Sequence, residues 1–171
     1  MKIPLDQICV KSGVLCPRCQ GLVDSRVVDP YEIDVMRALL ELENESDFKF
    51  LKDATYYKAV KSGNFLVLLI QLPDSSTTPR LLSKLDKHLS ELLGVKVRVV
   101  DKSSNNIKSI ALQLVMPARV SGINTLWLPD GSTQYIVRIP RSDSRYLPAS
   151  KEVIEEVLTN LIGSSVRIRT E

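Results

Sequence analysis

The chain has 171 residues, 44% of them apolar and 25% charged, with 23 Lys and Arg against 20 Asp and Glu for a net charge of +3. That length suits one medium domain or two small ones with packed cores. The mild positive balance permits nucleic-acid contact, but there is no Lys/Arg run of the kind that makes a basic tail. No stretch approaches the roughly 18 consecutive apolar residues of a membrane span. The opening MKIPLDQICVKSG lacks the apolar run of a secretion signal. The expectation is a cytoplasmic protein with no membrane partner.

Residues 1–29 read as a cysteine-bearing lead-in. In DPYEIDVMRALLELENES, Asp29 suits a cap, Pro30 the first helical position and Glu32 the third, and Ile33, Met36, Leu39 and Leu40 repeat at helical spacing. A helix follows over about 30–44. TYYKAVKSGNFLVLLIQLP predicts two strands around the Lys61-Ser62-Gly63-Asn64 turn. Asp74 to Thr78 is a polar loop. RLLSKLDKHLSELLG carries one leucine stripe and ends at Gly94, a C-cap residue. VKVRVV then alternates as a strand.

The order recurs. Asn106 to Met116 predicts a helix stopped by Pro117. VSGINTLWLPDGSTQYIVRIP gives two strands around Pro129-Asp130-Gly131. Arg141 to Tyr146 is polar, a helix runs from about Pro148 to Ile162, Gly163 caps it, and SVRIRT is the last strand. The letters repeat as well as the order. With no gap, Leu89, Leu92, Gly94, Val97 and Arg98 match Leu158, Leu161, Gly163, Val166 and Arg167. The same offset puts Pro79 on Pro148 and Leu85 on Ile154. Amphipathic spacing alone explains neither the shared glycine nor the arginine.

This tandem arrangement resembles the type II KH pair of NusA-like proteins, above all small archaeal ones in which LCPRC, PARV and WLPDGST occur in this order. The resemblance covers roughly residues 5–171. It implies an α+β fold of two tandem type II KH-like units (α-β-β-α-α-β), each a small three-stranded sheet backed by helices. The implied division is 1–29 for the Cys-containing segment, 30–102 for the first unit and 103–171 for the second. It also implies an RNA-associated, non-enzymatic role in transcription elongation or termination, with RNA polymerase among the partners. A structural component of a ribonucleoprotein particle such as the ribosome is the alternative.

One departure bears on mechanism. A KH unit grips the RNA backbone with a G-x-x-G loop, whose glycines let backbone amides approach phosphate. None of the seven glycines here lies three residues from another. The offset places the two loops near Thr77-Thr78-Pro79-Arg80 and Tyr146-Leu147-Pro148-Ala149, both with proline, as if rebuilt as ordinary helix starts.

Two surfaces remain for single-stranded or ribosomal RNA. If the Val and Ile side of each strand faces the helices, Lys96, Arg98, Arg138, Arg167 and Arg169 stand on the outer sheet face. At the helix starts lie Arg80, Lys84 and Lys87 in the first unit and Arg141, Arg145 and Lys151 in the second. A plainly solvated charged surface is the alternative for both. Trp127 and Tyr146 either stack on bases or are half-buried amphipathic aromatics.

Cys9, Cys16 and Cys19 form C-x6-C-x2-C. Two thiolates at C-P-R-C grip a metal from a tight turn, but a closed zinc site needs four ligands. Asp6 or Asp24 is a candidate for the fourth; a disulfide and free thiols are the other readings. The single histidine, His88, sits on a helix boundary, and no nucleophile–base motif occurs.

Overall fold

A computed structural model of the chain describes residues 1–73, 79–102 and 106–171. The lead-in forms two short helices, α1 (Gln7–Ser12) and α2 (Pro17–Asp24). Helix α3 (Pro30–Leu42) opens with the predicted capping box: the Asp29 side chain accepts from the third helical N–H, and the Asp29 N–H donates to Glu32 at 2.7 Å. A 3₁₀ stretch, Ser46–Asp53, buries Phe48 and Leu51. It lacks the regular apolar spacing that reveals an α-helix, and the sequence reading missed it.

Strands β1 (Thr55–Ser62) and β2 (Phe65–Gln71) pair antiparallel across Gly63, whose φ of 57° suits glycine. Helix α4 (Pro79–Leu93) crosses back, and β3 (Lys96–Asp101) lies parallel to β2. The second unit repeats this with α5 (Ile107–Val115), β4 (Gly122–Trp127), β5 (Thr133–Ile139), a 3₁₀ turn at Arg141–Tyr146, α6 (Lys151–Ile162) and β6 (Ser165–Thr170). Its sheet runs β4-β5-β6, with β6 parallel to β5. The chain is therefore α+β, with two three-stranded mixed sheets backed by helices and a cysteine cluster near its start.

The double helix expected before each last strand is met in the second unit by the 3₁₀ turn ahead of α6. In the first unit the polar loop at 74–78 lies outside the described residues. Pro79 begins α4, as the offset suggested, but Pro148 does not begin α6. Ser150 caps that helix, its Oγ accepting the Val153 N–H at 3.4 Å, and Pro148 lies two residues ahead.

The repeat has a physical cause. In the first unit, Asp86 and Ser90 of α4 accept the backbone N–H groups of Val99 (2.8 Å) and Val97 (3.0 Å). In the second, Glu155 and Thr159 of α6 accept those of Ile168 (2.8 Å) and Val166 (3.1 Å). Strands β3 and β6 are edges, so their outward N–H groups need partners, and the helix supplies them. Gly94 and Gly163, both left-handed, turn the chain between helix and strand. Acid, hydroxyl and glycine are thus fixed in spacing by one recurring clamp.

Two buried clusters form the core among the described residues. The first core joins α3, α4 and one face of the first sheet to Met1, Leu5, Cys9, Val10, Cys19 and Val28. The cysteine-bearing segment thus contributes side chains to this core. The second core joins α5, α6 and the second sheet to Val60, Phe65, Val67, Leu69 and Val100, which are the other face of the first sheet. The first sheet is thus covered on both sides. That explains the unbroken apolar run FLVLLI in β2, all six residues of which are buried. Full burial of each such side chain contributes about 1.5–3 kcal/mol.

Candidate nucleic-acid interface and metal cluster

The cysteines converge at the edge of the first core, where α1 packs on α3 and Cys9 and Cys19 are both buried. One ligand atom each from Asp6, Cys9, Cys16 and Cys19 lies within 4.8 Å of all the others. Tertiary structure thus selects Asp6 over Asp24 as the oxygen donor. Backbone amides already point at sulfur: Asp6 N–H donates to Cys19 Sγ at 3.3 Å, and Cys16 N–H to Cys9 Sγ at 3.4 Å. The Cys16 thiol donates to Asp6 Oδ2 at 3.5 Å. Hydrogen bonding from the Cys19 backbone, then from its side chain, lowers the Cys16 pKa. At Cys19 the Asp6 amide acts in the lowering direction, but burial and the neighbouring thiols prevail and push its pKa up to about 11. All three cysteines are free of disulfides. Asp6 also pairs with Arg18 at 3.0 Å.

The expected basic row divides between the sheets. On the first sheet the outer face is the one that the second unit covers. The Lys96 ammonium donates to the Pro148 carbonyl at 2.6 Å and is committed to that junction. Arg98, its side chain only 19% exposed, lies 3.9 Å from Asp86. Lys96 is exposed but tied to the junction, and Arg98 is half-buried beside an acid of its own unit, features that strand alternation cannot reveal.

On the second sheet the outer face is uncovered. Arg138 and Arg169 are neighbours in register on β5 and β6, and Arg167 sits one row along, beside Ile136. Arg167 is 65% exposed and only loosely paired to Glu155, at 3.5 Å. Arg138 lies across Gly122, its partner in β4, where a Cβ would come within 2.5 Å of the Arg138 Nη2. Its Nη1 is 3.9 Å from Glu171, and its Nε is buried without a partner among the described residues.

At the helix starts, Arg80, Lys84 and Lys87 are exposed on α4, with Lys84 paired to Asp47 at 3.1 Å. Arg141, Arg145 and Lys151 are exposed around the 3₁₀ turn and the start of α6. The Arg145 guanidinium lies 4.9 Å from the Tyr146 ring centre. His88 donates through Nδ1 to the Lys84 carbonyl at 2.9 Å and packs edge-on against Phe48, as a boundary histidine. Arg119 of the PARV segment escaped the sequence reading. Its side chain bonds both oxygens of Asp143, at 2.8 and 3.3 Å, and its N–H donates to the same carboxylate at 3.0 Å. That pairing holds the Asp143 carboxyl below its usual range. The partners are 24 residues apart, so no local pattern announced them.

Trp127 does not take the half-buried role. It is 79% exposed at the end of β4, with Leu126 and Leu128 exposed beside it.

No family model matches the chain, and no curated protein matches it. Among solved structures it is similar to the one described as the crystal structure of APE1850, with 22% identity and a TM-score of 0.52. The match covers 78% of this chain and 96% of that one. At that identity the likeness speaks for the fold alone.

Proposed function

We propose that the chain is a non-enzymatic RNA-associated protein, a divergent NusA-like KH pair acting in transcription elongation or termination. The observation that carries this reading is the open outer face of the second sheet, with Arg138, Arg167 and Arg169 on adjacent strands. Guanidinium forks at such positions take phosphate oxygens without reading bases. Arg141, Arg145 and Lys151 extend the basic surface to the helix start, where a KH unit meets the RNA backbone. The test is an anisotropy titration with a short single-stranded RNA at two salt concentrations. Dissociation constants of roughly 1–100 μM, weakening steeply with salt, are expected. Loss of binding in an Arg138→Ala/Arg169→Ala double variant supports the reading, and undetectable binding by the native chain overturns it.

A second reading, a protein-docked component of a ribosome or polymerase particle, draws on the exposed Ile8, Val14 and Val27 around the N-terminal helices. In that case the protein co-purifies with the particle, and charge-neutral changes at these three residues release it.

For the cysteine cluster we propose a structural zinc ion held by Cys9, Cys16, Cys19 and Asp6. The donor set fits: three thiolates and a carboxylate at mutual distances that a tetrahedral ion spans, with amide N–H groups supporting two of the sulfurs. Elemental analysis of protein purified without chelator should find about one zinc per chain. Three titratable thiols without metal overturn the assignment.

A further inference from the structure

A cleft of about 520 Å³ lies between the two units. Leu69 of β2, Ile110 of α5, Leu161 of α6 and Tyr135 of β5 are among its walls, as are Lys102 and Asn106. Its lining mixes aliphatic side chains with one aromatic ring, one amide and one cation, and among the described residues no carboxylate contributes to it. A site of that character complements a flat aromatic ligand bearing negative charge.

The β4–β5 hairpin adds a second ring. Tyr135 pairs with Thr125, and Trp127 pairs with Thr133, so Trp127 and Tyr135 are diagonal neighbours on one face of the ribbon. Diagonal pairs of this kind sit about 7–8 Å apart, within reach for aromatic side chains. The hairpin tip is held rigid: Asp130 accepts the Ser132 N–H at 2.9 Å and its hydroxyl at 2.6 Å, and the Leu128 N–H donates to the Ser132 carbonyl at 2.9 Å. Among the described residues the indole, 79% exposed, is not packed into either core. By Lys102 the same arrangement recurs on a smaller scale. Its ammonium lies 4.1 Å from the Tyr57 ring centre, and Tyr57, 43% exposed, is anchored through its hydroxyl to Gln71 at 2.7 Å.

From this geometry we infer that the inter-unit cleft and the Trp127 hairpin form a base-stacking site for single-stranded RNA. Tyr135 and Trp127 are the platforms, and Lys102 meets the neighbouring phosphate. The inference rests on the RNA reading above and adds what that reading lacks, a place for bases as distinct from backbone. Stacking on exposed rings tolerates any base, so the site favours single strands over duplexes with little sequence preference.

Trp127 is the chain's single tryptophan, so its fluorescence reports on this site alone. The full chain is titrated with a short single-stranded RNA of mixed sequence, and tryptophan emission and the anisotropy of a label on the RNA are followed together. Quenching that saturates with the anisotropy, and is absent with the same sequence as a duplex, is the expected result. Trp127→Ala, at an exposed position that leaves folding intact, weakens binding by roughly 5- to 100-fold, and Trp127→Phe restores most of it. Full RNA binding with unchanged emission and unchanged Trp127→Ala affinity overturns the stacking site and leaves the arginine face standing. No RNA binding at all overturns both.

Discussion

The Ser62 hydroxyl donates to the Glu156 carboxylate at 2.6 Å across 94 residues of sequence. This bond ties β1 of the first unit to α6 of the second. Lys58 reinforces it by donating to the Asn160 carbonyl at 3.0 Å. Beneath these bonds lies the shared second core. The two units therefore stabilise each other and are expected to melt in one transition.

Phe65, buried in that shared core, tests the coupling. Phe65→Ala is expected to cost about 3–5 kcal/mol. Calorimetry should show a single transition shifted downward, with the far-UV signals of both units lost together. Two separated transitions, one of them unmoved, would contradict the shared core. A fragment of residues 1–102 would expose Val60, Val67 and Leu69 and should bind a hydrophobic dye.

Burial raises the Asp86 pKa to about 6, against the lowering effects of the Val99 N–H and Arg98. The sign follows from proton binding. Between its ordinary value of 3.8 and about 6 the folded chain holds the proton more tightly than the unfolded chain. The contribution of Asp86 to stability therefore falls as pH rises through that window and is flat above it. Urea midpoints measured from pH 4 to 7 should lose this component in Asp86→Asn. Asp86→Ala also orphans the Val99 N–H and should cost about 1–3 kcal/mol at any pH.

Arg98 and Arg169 occupy alternating positions of equivalent-looking strands yet should behave differently. Arg98→Ala breaks a half-buried pair with Asp86, so chemical denaturation should register its loss while RNA affinity changes little. Arg169→Ala should leave the unfolding free energy within about 0.5 kcal/mol of the native value. It should instead reduce the slope of log affinity against log salt by about 0.7, the contribution of one phosphate contact on a single strand.

A strong chelator, by stripping the zinc proposed for the cluster, should lower the melting temperature, because Cys9 and Cys19 are built into the first core. Cys19→Ser should reproduce the loss without chelator. Asp24→Asn should leave metal content unchanged, since Asp24 stands outside the cluster, whereas Asp6→Asn should weaken retention.

Helices and strands were legible in the sequence wherever the signal was local. Leu85 with Leu89, and Ile154 with Leu158, mark the buried sides of α4 and α6 by helical spacing, and Val97 with Val99 marks the inner side of β3 by alternation. The internal repeat was legible too, because each edge strand needs its helix to present an acid and a hydroxyl at set distances. Periodicity states that a strand has two faces; it does not state which one remains in water. That depends on packing: Lys96 is tied to the Pro148 carbonyl of the second unit and Arg98 to Asp86 of α4, while Arg167 and Arg169 remain exposed on β6. Packing on the first core gathers Asp6 with the cysteines, and burial of the first sheet's second face sets Tyr135 and Lys102 on one cleft, a neighbourhood that no short stretch of chain can specify.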